Sequence, residues 1–207
     1  MSIINFNPMV TSQPYGTFTD STQGRYQGDF VDDPSSYQYL SAGQIAASVT
    51  QPVWGGMALT QTVSTTGNSQ GLGPTMSLAT AATGANGFNG FSVFTKNGAA
   101  ILTPGLNNVP QLGAGMTVNY FRVGSNARIN VAIEASLVSS LEGGNAQQAL
   151  YWDPALQQLT ASGTSGAFEL PSTVKINSID TNGRVVSYNS GTGALTWGSG
   201  AVAEIQI

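Results

Sequence analysis

Hydrophobic and polar residues alternate along much of the second half of the chain. In residues 116–135 (MTVNYFRVGSNARINVAIEA), Val118, Tyr120 and Arg122 lie on one side of the alternation, and Asn119 and Phe121 on the other. A period of two predicts half-buried β-strands. The Gly-Ser-Asn run between the two apolar stretches predicts that they form a hairpin.

Further hairpins are predicted on both sides of this one. Residues 91–103 (FSVFTKNGAAILT) carry Asn97-Gly98, the signal of a type I′ turn, because both central residues of that turn need a positive φ. Residues 174–189 (VKINSIDTNGRVVSYN) place Gly183 at a predicted turn. Residues 149–163 and 185–200 each run from aromatic residues through a polar loop to Leu-Thr, which predicts two more hairpins.

Helical signals are scarce. The chain has 26 Gly and 9 Pro among 207 residues, and the charged residues that favour helices make up only 8%. Residues 136–148 form the one candidate helix, and residues 64–90 predict a flexible loop rich in Gly, Ser and Thr. We therefore predict an all-β fold, an antiparallel β-sandwich or barrel of jelly-roll-like form with long loops, as one domain over residues 25–207.

Residues 1–24 predict an extended N-terminal arm. Pro8 and Pro14 fix the backbone and favour extended geometry in the residues before them. The segment is either an edge strand of its own domain or an arm on a neighbouring molecule. Its candidate partner-binding residues, for a capsid or a neighbouring copy, are Ile3, Ile4, Phe6, Met9, Val10, Tyr15 and Phe18.

The stretch QPVWGGMAL places Trp54 between Pro52 and the pair Gly55 and Gly56. Two glycines permit a bulge or a close backbone approach, which an indole can cover. A ligand platform would need polar partners and a second aromatic residue, and neither is predictable nearby. We therefore predict that these four residues form a packed structural corner.

Charge and residue content exclude several functions. The net charge is −4 and the six basic residues are scattered, which argues against nucleic-acid binding. No apolar run has the roughly 18 residues of a membrane helix, and the first residues do not resemble a signal peptide, so we expect assembly in a cytoplasm. The chain has no His and no Cys, so we expect no catalytic triad, no metal site and no cofactor.

The remaining enzymatic possibility is a pair of carboxylates, as in glycosidases. The candidate carboxylates are Asp29, Asp32, Asp33, Glu134, Glu142 and Asp153. Ser172 and Lys175 have the spacing of a serine acyl enzyme, but they open a predicted strand on which positions three apart face opposite sides. Asp180 and Asn182 resemble part of a calcium loop that lacks its final Glu. We expect turns and surface charges here, and no enzyme.

Residues 24–60 resemble the structural cement, or decoration, proteins of tailed-bacteriophage capsids. The resemblance rests on a Gly-containing strand, Asp-Asp-Pro, a Tyr-Leu-x-x-Gly run and Pro-x-Trp-Gly-Gly. It implies a β-rich, non-enzymatic virion protein that binds the major capsid protein on the outer shell surface, which we expect to be a homodimer or homotrimer. The alternative is a receptor-binding or tail-fibre module whose sugar-stacking rings would be Trp54, Tyr151, Trp152 and Trp197.

Overall fold

The chain folds into two β-sheets in a computed structural model that describes residues 24–30, 36–62, 73–94 and 109–207. Strands dominate this part of the chain, which confirms the all-β prediction. The described helical segments are a 3-10 helix over Ser36–Tyr39, α1 over Ala81–Gly87 and α2 over Ala135–Leu141. None of the described helices is long and apolar enough to span a membrane.

The first sheet closes into a five-stranded barrel in the order β1-β3-β2-β4-β5, with β5 pairing back to β1. Its strands are β1 (Leu40–Ile45), β2 (Ala58–Thr62), β3 (Thr75–Leu78), β4 (Phe88–Ser92) and β5 (Thr117–Arg122). The pairing of β1 with β3 is parallel and the other four are antiparallel. Closure leaves none of the five strands with a long unpaired edge.

The second sheet has six strands in the order β10-β11-β6-β8-β7-β9. They are β6 (Arg128–Ile133), β7 (Tyr151–Asp153), β8 (Gln158–Thr160), β9 (Phe168–Glu169), β10 (Lys175–Asn189) and β11 (Ala194–Gln206). The predicted β7–β8 and β10–β11 hairpins are both present. Because β6 pairs with β11 only from Ala201 onward, the β10–β11 hairpin continues beyond the sheet as a two-stranded ribbon.

Two hydrophobic clusters account for the packing of these sheets. Val118 and Tyr120 of β5 are fully buried in a cluster that draws on β1, β2, β3 and β5. Phe121, on the opposite face of the same strand, joins the larger cluster with Ile129 and Trp152 of the second sheet. The barrel therefore has its own filled interior, and its outer face shares a second core with the six-stranded sheet.

The predicted hairpin over residues 116–135 is wrong. Its two strands exist as β5 and β6, but β5 pairs with β1 and β4, whereas β6 pairs with β11 and β8. Both sides of β5 are occupied by barrel strands, so no edge remains for β6. The short connection carries the chain from one sheet to the other.

The turn predicted at Gly183 is also wrong, since β10 runs unbroken from Lys175 to Asn189. Its register against β11 shifts between Asp180 and Gly183, which is a bulge within a long strand. The second predicted turn, at Asn97 and Gly98, lies outside the described residues.

The loop prediction for residues 64–90 is wrong for the part that the structure describes. Residues 73–90 contain β3, α1 and the start of β4. Thr80 caps α1, with its hydroxyl accepting the Thr83 N–H while the Thr83 hydroxyl accepts the Thr80 N–H. The candidate helix at 136–148 corresponds to α2, which ends at Leu141, before the glycine pair.

Candidate functional site

The seven candidate partner-binding residues of the arm lie outside the described residues. They are Ile3, Ile4, Phe6, Met9, Val10, Tyr15 and Phe18. The structure does describe the point at which this segment joins the body, residues 24–30, which we call the root.

The root is bonded along the edge strand β10. Tyr26 forms a parallel bridge with Arg184, in which Gln27 donates its N–H to the Arg184 carbonyl at 2.8 Å and Arg184 donates to the Arg25 carbonyl at 2.7 Å. The side chain of Gln27 is 1% exposed, and its Oε1 accepts the Val186 N–H at 2.8 Å. The root thus adds a short strand to β10.

An ion pair and two further hydrogen bonds fix Arg25. Its guanidinium lies 3.2 Å from the Glu204 carboxylate and donates to the Ser178 hydroxyl, and its backbone N–H donates to the Asp180 carboxylate at 2.8 Å. Glu204 is 7% exposed and also accepts from the Asn177 amide. Because the carboxylate is buried and doubly bonded, this contact holds the root more firmly than a surface ion pair would.

The root then crosses to β6 and to the predicted corner. Gly28 donates to the Asn130 carbonyl at 2.7 Å, and Asn130 donates to the Asp29 carbonyl at 2.8 Å. A Cβ built on Gly28 would lie 2.5 Å from the Cα of Gly55. The glycine pair after Trp54 therefore gives the root room to pass.

Trp54 lies at the turn of this corner with only 4% of its surface exposed. Its carbonyl accepts the Ser92 hydroxyl at 2.6 Å, and its ring is 5.9 Å from that of Tyr188 on the ribbon. Gly56, at φ 83°, donates to the Ser92 carbonyl at 2.7 Å. Pro52 precedes Val53, which bridges to Leu112. The four residues predicted as a corner thus connect the barrel, the root and the ribbon.

A cleft of about 330 Å³ opens where the ribbon leaves the six-stranded sheet. Its walls include Trp54, Val185, Tyr188, Ala201 and Leu156, and we call it the junction cleft. Leu156, in the β7–β8 turn, is 65% exposed at the rim. None of the described lining residues is an Asp, Glu, Lys or Arg. The cleft is therefore uncharged, with both apolar and polar walls, and lies at the lower end of the size of ligand sites.

The candidate carboxylates Asp153 and Glu134 make hydrogen bonds that support the fold. Asp153 accepts the N–H groups of Ala155 and Leu156 and so caps the β7–β8 turn. Glu134 accepts the hydroxyls of Ser136 and Thr160, and these hydrogen bonds hold the pKa of its carboxyl below the ordinary value of 4.5.

Asp32 and Asp33 lie outside the described residues, whereas Asp29 and Glu142 are described. The Asp29 carboxylate accepts the Phe30 N–H at 3.0 Å, and Glu142 is exposed after α2. Among the described residues, no group of three or more Asp or Glu is arranged to hold a metal ion. In the suspected calcium loop, Asp180 accepts the N–H groups of Arg25 and Asn182 within the bulge.

The four rings of the glycan alternative do not form one exposed platform. Trp152 is fully buried and packs edge-on against Phe91 at 4.9 Å, so it has no face for a sugar. Trp54 is almost as buried. Trp197, on the ribbon, packs edge-on against Tyr26 of the root at 5.3 Å. Tyr151 is half-buried on β7.

Sequence reasoning missed the root and the junction cleft. The root had one usable signal in the sequence, which was the presence of glycines both around Gly28 and around Gly55. The cleft had a weaker one, an apolar Leu156 in a turn that begins with Asp-Pro. Its walls come from five separate parts of the chain, so no local pattern marks it.

The described residues define an all-β protein in which a closed barrel and a six-stranded sheet are joined by an N-terminal root. No protein-family model matches the sequence, and the comparisons with curated proteins and with solved structures found no match. The likeness of residues 24–60 to capsid cement proteins therefore stays a prediction.

Proposed function

We propose that this chain is a non-enzymatic virion protein that binds the outer surface of a phage capsid and cements neighbouring major capsid proteins. The observation that carries the proposal is the root, which fixes the C-terminal end of the apolar segment to β10 and β6. The motifs in residues 24–60 that resemble cement proteins include this root and the corner against which it packs.

A fixed root turns the preceding segment into a tether with a defined origin. Seven apolar residues within the first 18 supply the surface that a partner would cover, at about 25 cal/mol per Å². An extended segment of this kind binds by lying in a groove or by adding a strand to a sheet edge. Many copies on one lattice then hold through avidity, although each contact is modest.

The carboxylates support a non-enzymatic role. Asp153, Glu134, Asp180 and Glu204 each accept hydrogen bonds that hold a turn, a helix start or the root in place. A general acid or base needs a carboxylate free to reach substrate. The net charge of −4 favours a position away from the packaged genome, on the outer surface.

The experiment is a sedimentation assay with undecorated capsids of the phage that carries this gene. Ile3→Asp/Phe6→Asp places two charges on the apolar arm, and Asn5→Asp/Asn7→Asp places the same charges without removing apolar residues. We expect the first variant and a deletion of residues 1–18 to lose capsid occupancy, and the matched control to keep it. Equal occupancy of both variants and the full-length protein would contradict attachment through the arm.

Copy number in purified virions separates the proposal from the tail-fibre alternative. A cement protein occurs at a number comparable with that of the major capsid protein, whereas a fibre occurs in far fewer copies. Quantitative mass spectrometry of the particles measures this ratio directly. A low ratio, or absence from the particle, would remove the cementing function.

A further inference from the structure

The junction cleft has the properties of a receptor for an uncharged apolar segment. Leu156 stands exposed at its rim, while Val185 and Ala201 give it aliphatic walls. Trp54 also lines it. An extended segment brings apolar side chains that can cover these walls.

The N-terminal segment matches the cleft in charge. Residues 1–19 contain no Asp, Glu, Lys or Arg, and Asp20 is the first charged side chain of the chain. Placing a charged group in an uncharged cleft would cost desolvation energy without a partner to offset it. A segment with Ile3, Ile4 and Phe6 carries no such cost.

The position of Gly24 bears on whether the N-terminal segment meets the junction cleft of its own chain or that of a neighbouring copy. Gly24 lies against Asn182 of β10, and the root then runs parallel to β10 towards Val186. The cleft lies further along in that same direction, at Ser187 and Tyr188. Gly24, where the root begins, therefore lies at the end of this path away from the cleft, which favours the cleft of a neighbouring molecule as the receptor.

The 23 residues before the root are long enough to reach a neighbouring molecule. Asn182 and Ser187 are separated by about 16 Å of strand at ~3.3 Å per residue. Twenty-three extended residues span up to about 75 Å, which reaches a cleft on an adjacent molecule.

We propose that the junction cleft binds the apolar N-terminal segment of a second copy of this chain, so that copies exchange arms. Exchange of an identical segment between copies, as in domain swapping, forms an oligomer without requiring any other interface. Because the contact requires only this chain, it is tested in solution without capsids.

The test is photo-crosslinking of the full-length protein in solution. Phe6 is replaced by p-benzoylphenylalanine in an unlabelled preparation, which is mixed with ¹⁵N-labelled protein, and cross-linked peptides are identified by mass spectrometry. We expect hybrid cross-links that join labelled and unlabelled chains at cleft residues, around Trp54, Leu156 or Ser187. Sedimentation velocity on the unmodified protein should show an oligomer.

Two tryptophan variants make the test specific to the cleft. Ser187→Trp fills the cleft from an exposed position, and Ala194→Trp places the same ring at an exposed ribbon position that does not line it. Ser187→Trp should lower hybrid cross-linking by about tenfold or more, the effect of losing one buried apolar side chain. Ala194→Trp should leave it unchanged.

A second variant covers the case in which Ser187→Trp does not fold. Phe6→Asp changes only the arm and should convert the oligomer to monomer, with an unchanged circular dichroism spectrum. Cross-links found only within single chains would mean that the cleft binds the arm of its own chain. That result, cross-links outside the cleft, or no cross-links at all would overturn the proposal.

Discussion

Gly28 of the root and Gly55 of the corner cross with their backbones in contact. A Cβ on Gly55 would lie 2.8 Å from the Cα of Gly28, and 2.7 Å from the Cδ2 atom of Phe94. Real Cβ atoms do not approach other atoms so closely. The two glycines are therefore a matched pair, each required by the presence of the other chain segment.

Gly55→Ala should lower the free energy of unfolding by about 1–3 kcal/mol, the usual cost of overpacking a filled site. Gly113→Ala is the matched control, because a Cβ there meets nothing within 4 Å. Urea unfolding of both variants measures the difference. Equal midpoints would mean that the root moves away from the corner at no cost.

Gln27→Met should destabilise the root without altering the charge. The substitution leaves the Val186 N–H without its acceptor, at a cost of about 1–3 kcal/mol. Hydrogen exchange at the Val186 amide should become faster, whereas Gln61→Met, at an exposed position on β2, should not change it. Unchanged exchange in the Gln27 variant would argue that the bond is not formed in solution.

Trp54→Ala should lower the free energy of unfolding by about 3–5 kcal/mol, as expected for truncation of a buried aromatic residue. Trp54→Phe should cost less, because it keeps a ring beside Tyr188 and removes less buried surface than truncation to Ala. Thermal unfolding distinguishes the two variants. A Trp54→Ala variant with unchanged melting temperature and lost partner binding would instead indicate a ligand platform.

Glu134→Gln should lower stability at neutral pH and make it less dependent on pH. The folded carboxyl has a pKa below its ordinary value of 4.5, through hydrogen bonds from Ser136 and Thr160. Its contribution is therefore present above about pH 4.5 and is lost as the pH falls through the lower, folded pKa.

The wild type and Glu134→Gln should consequently have similar free energies of unfolding at pH values below the folded pKa of Glu134. Unfolding measured at several pH values between neutral and acid tests this, and Glu142→Gln controls for removal of one negative charge at an exposed residue. A constant difference between wild type and Glu134→Gln across the whole range would contradict the linkage.

Alternation was sufficient to predict β5 and β6, but not the strands with which they pair. Residues 116–135 contain two correctly predicted strands, yet β5 completes the barrel and β6 enters the other sheet. The choice depends on β1 and β4, which occupy both edges of β5. Such long-range competition leaves no mark in the local sequence.

Gly183 shows a second limit. A glycine after Asp and Asn predicts a turn, but here a Cβ would lie 2.5 Å from the Val202 side chain and 2.9 Å from the Arg25 carbonyl. The residue is small because the root passes beside it, not because the chain reverses. The candidate site was hidden for the same reason, since its contacts join residues that are far apart in sequence.

The parallel alignment of the root with β10 also has a mechanical consequence. A pull on the arm, directed back along the strand, loads the hydrogen bonds of Arg184 with Arg25 and Gln27 sideways. Bonds loaded in this way share the force and break together, whereas bonds pulled open from one end break one after another. A load on the arm along this line would therefore strain the anchor in its strongest direction, and rupture would require the whole root to slide at once.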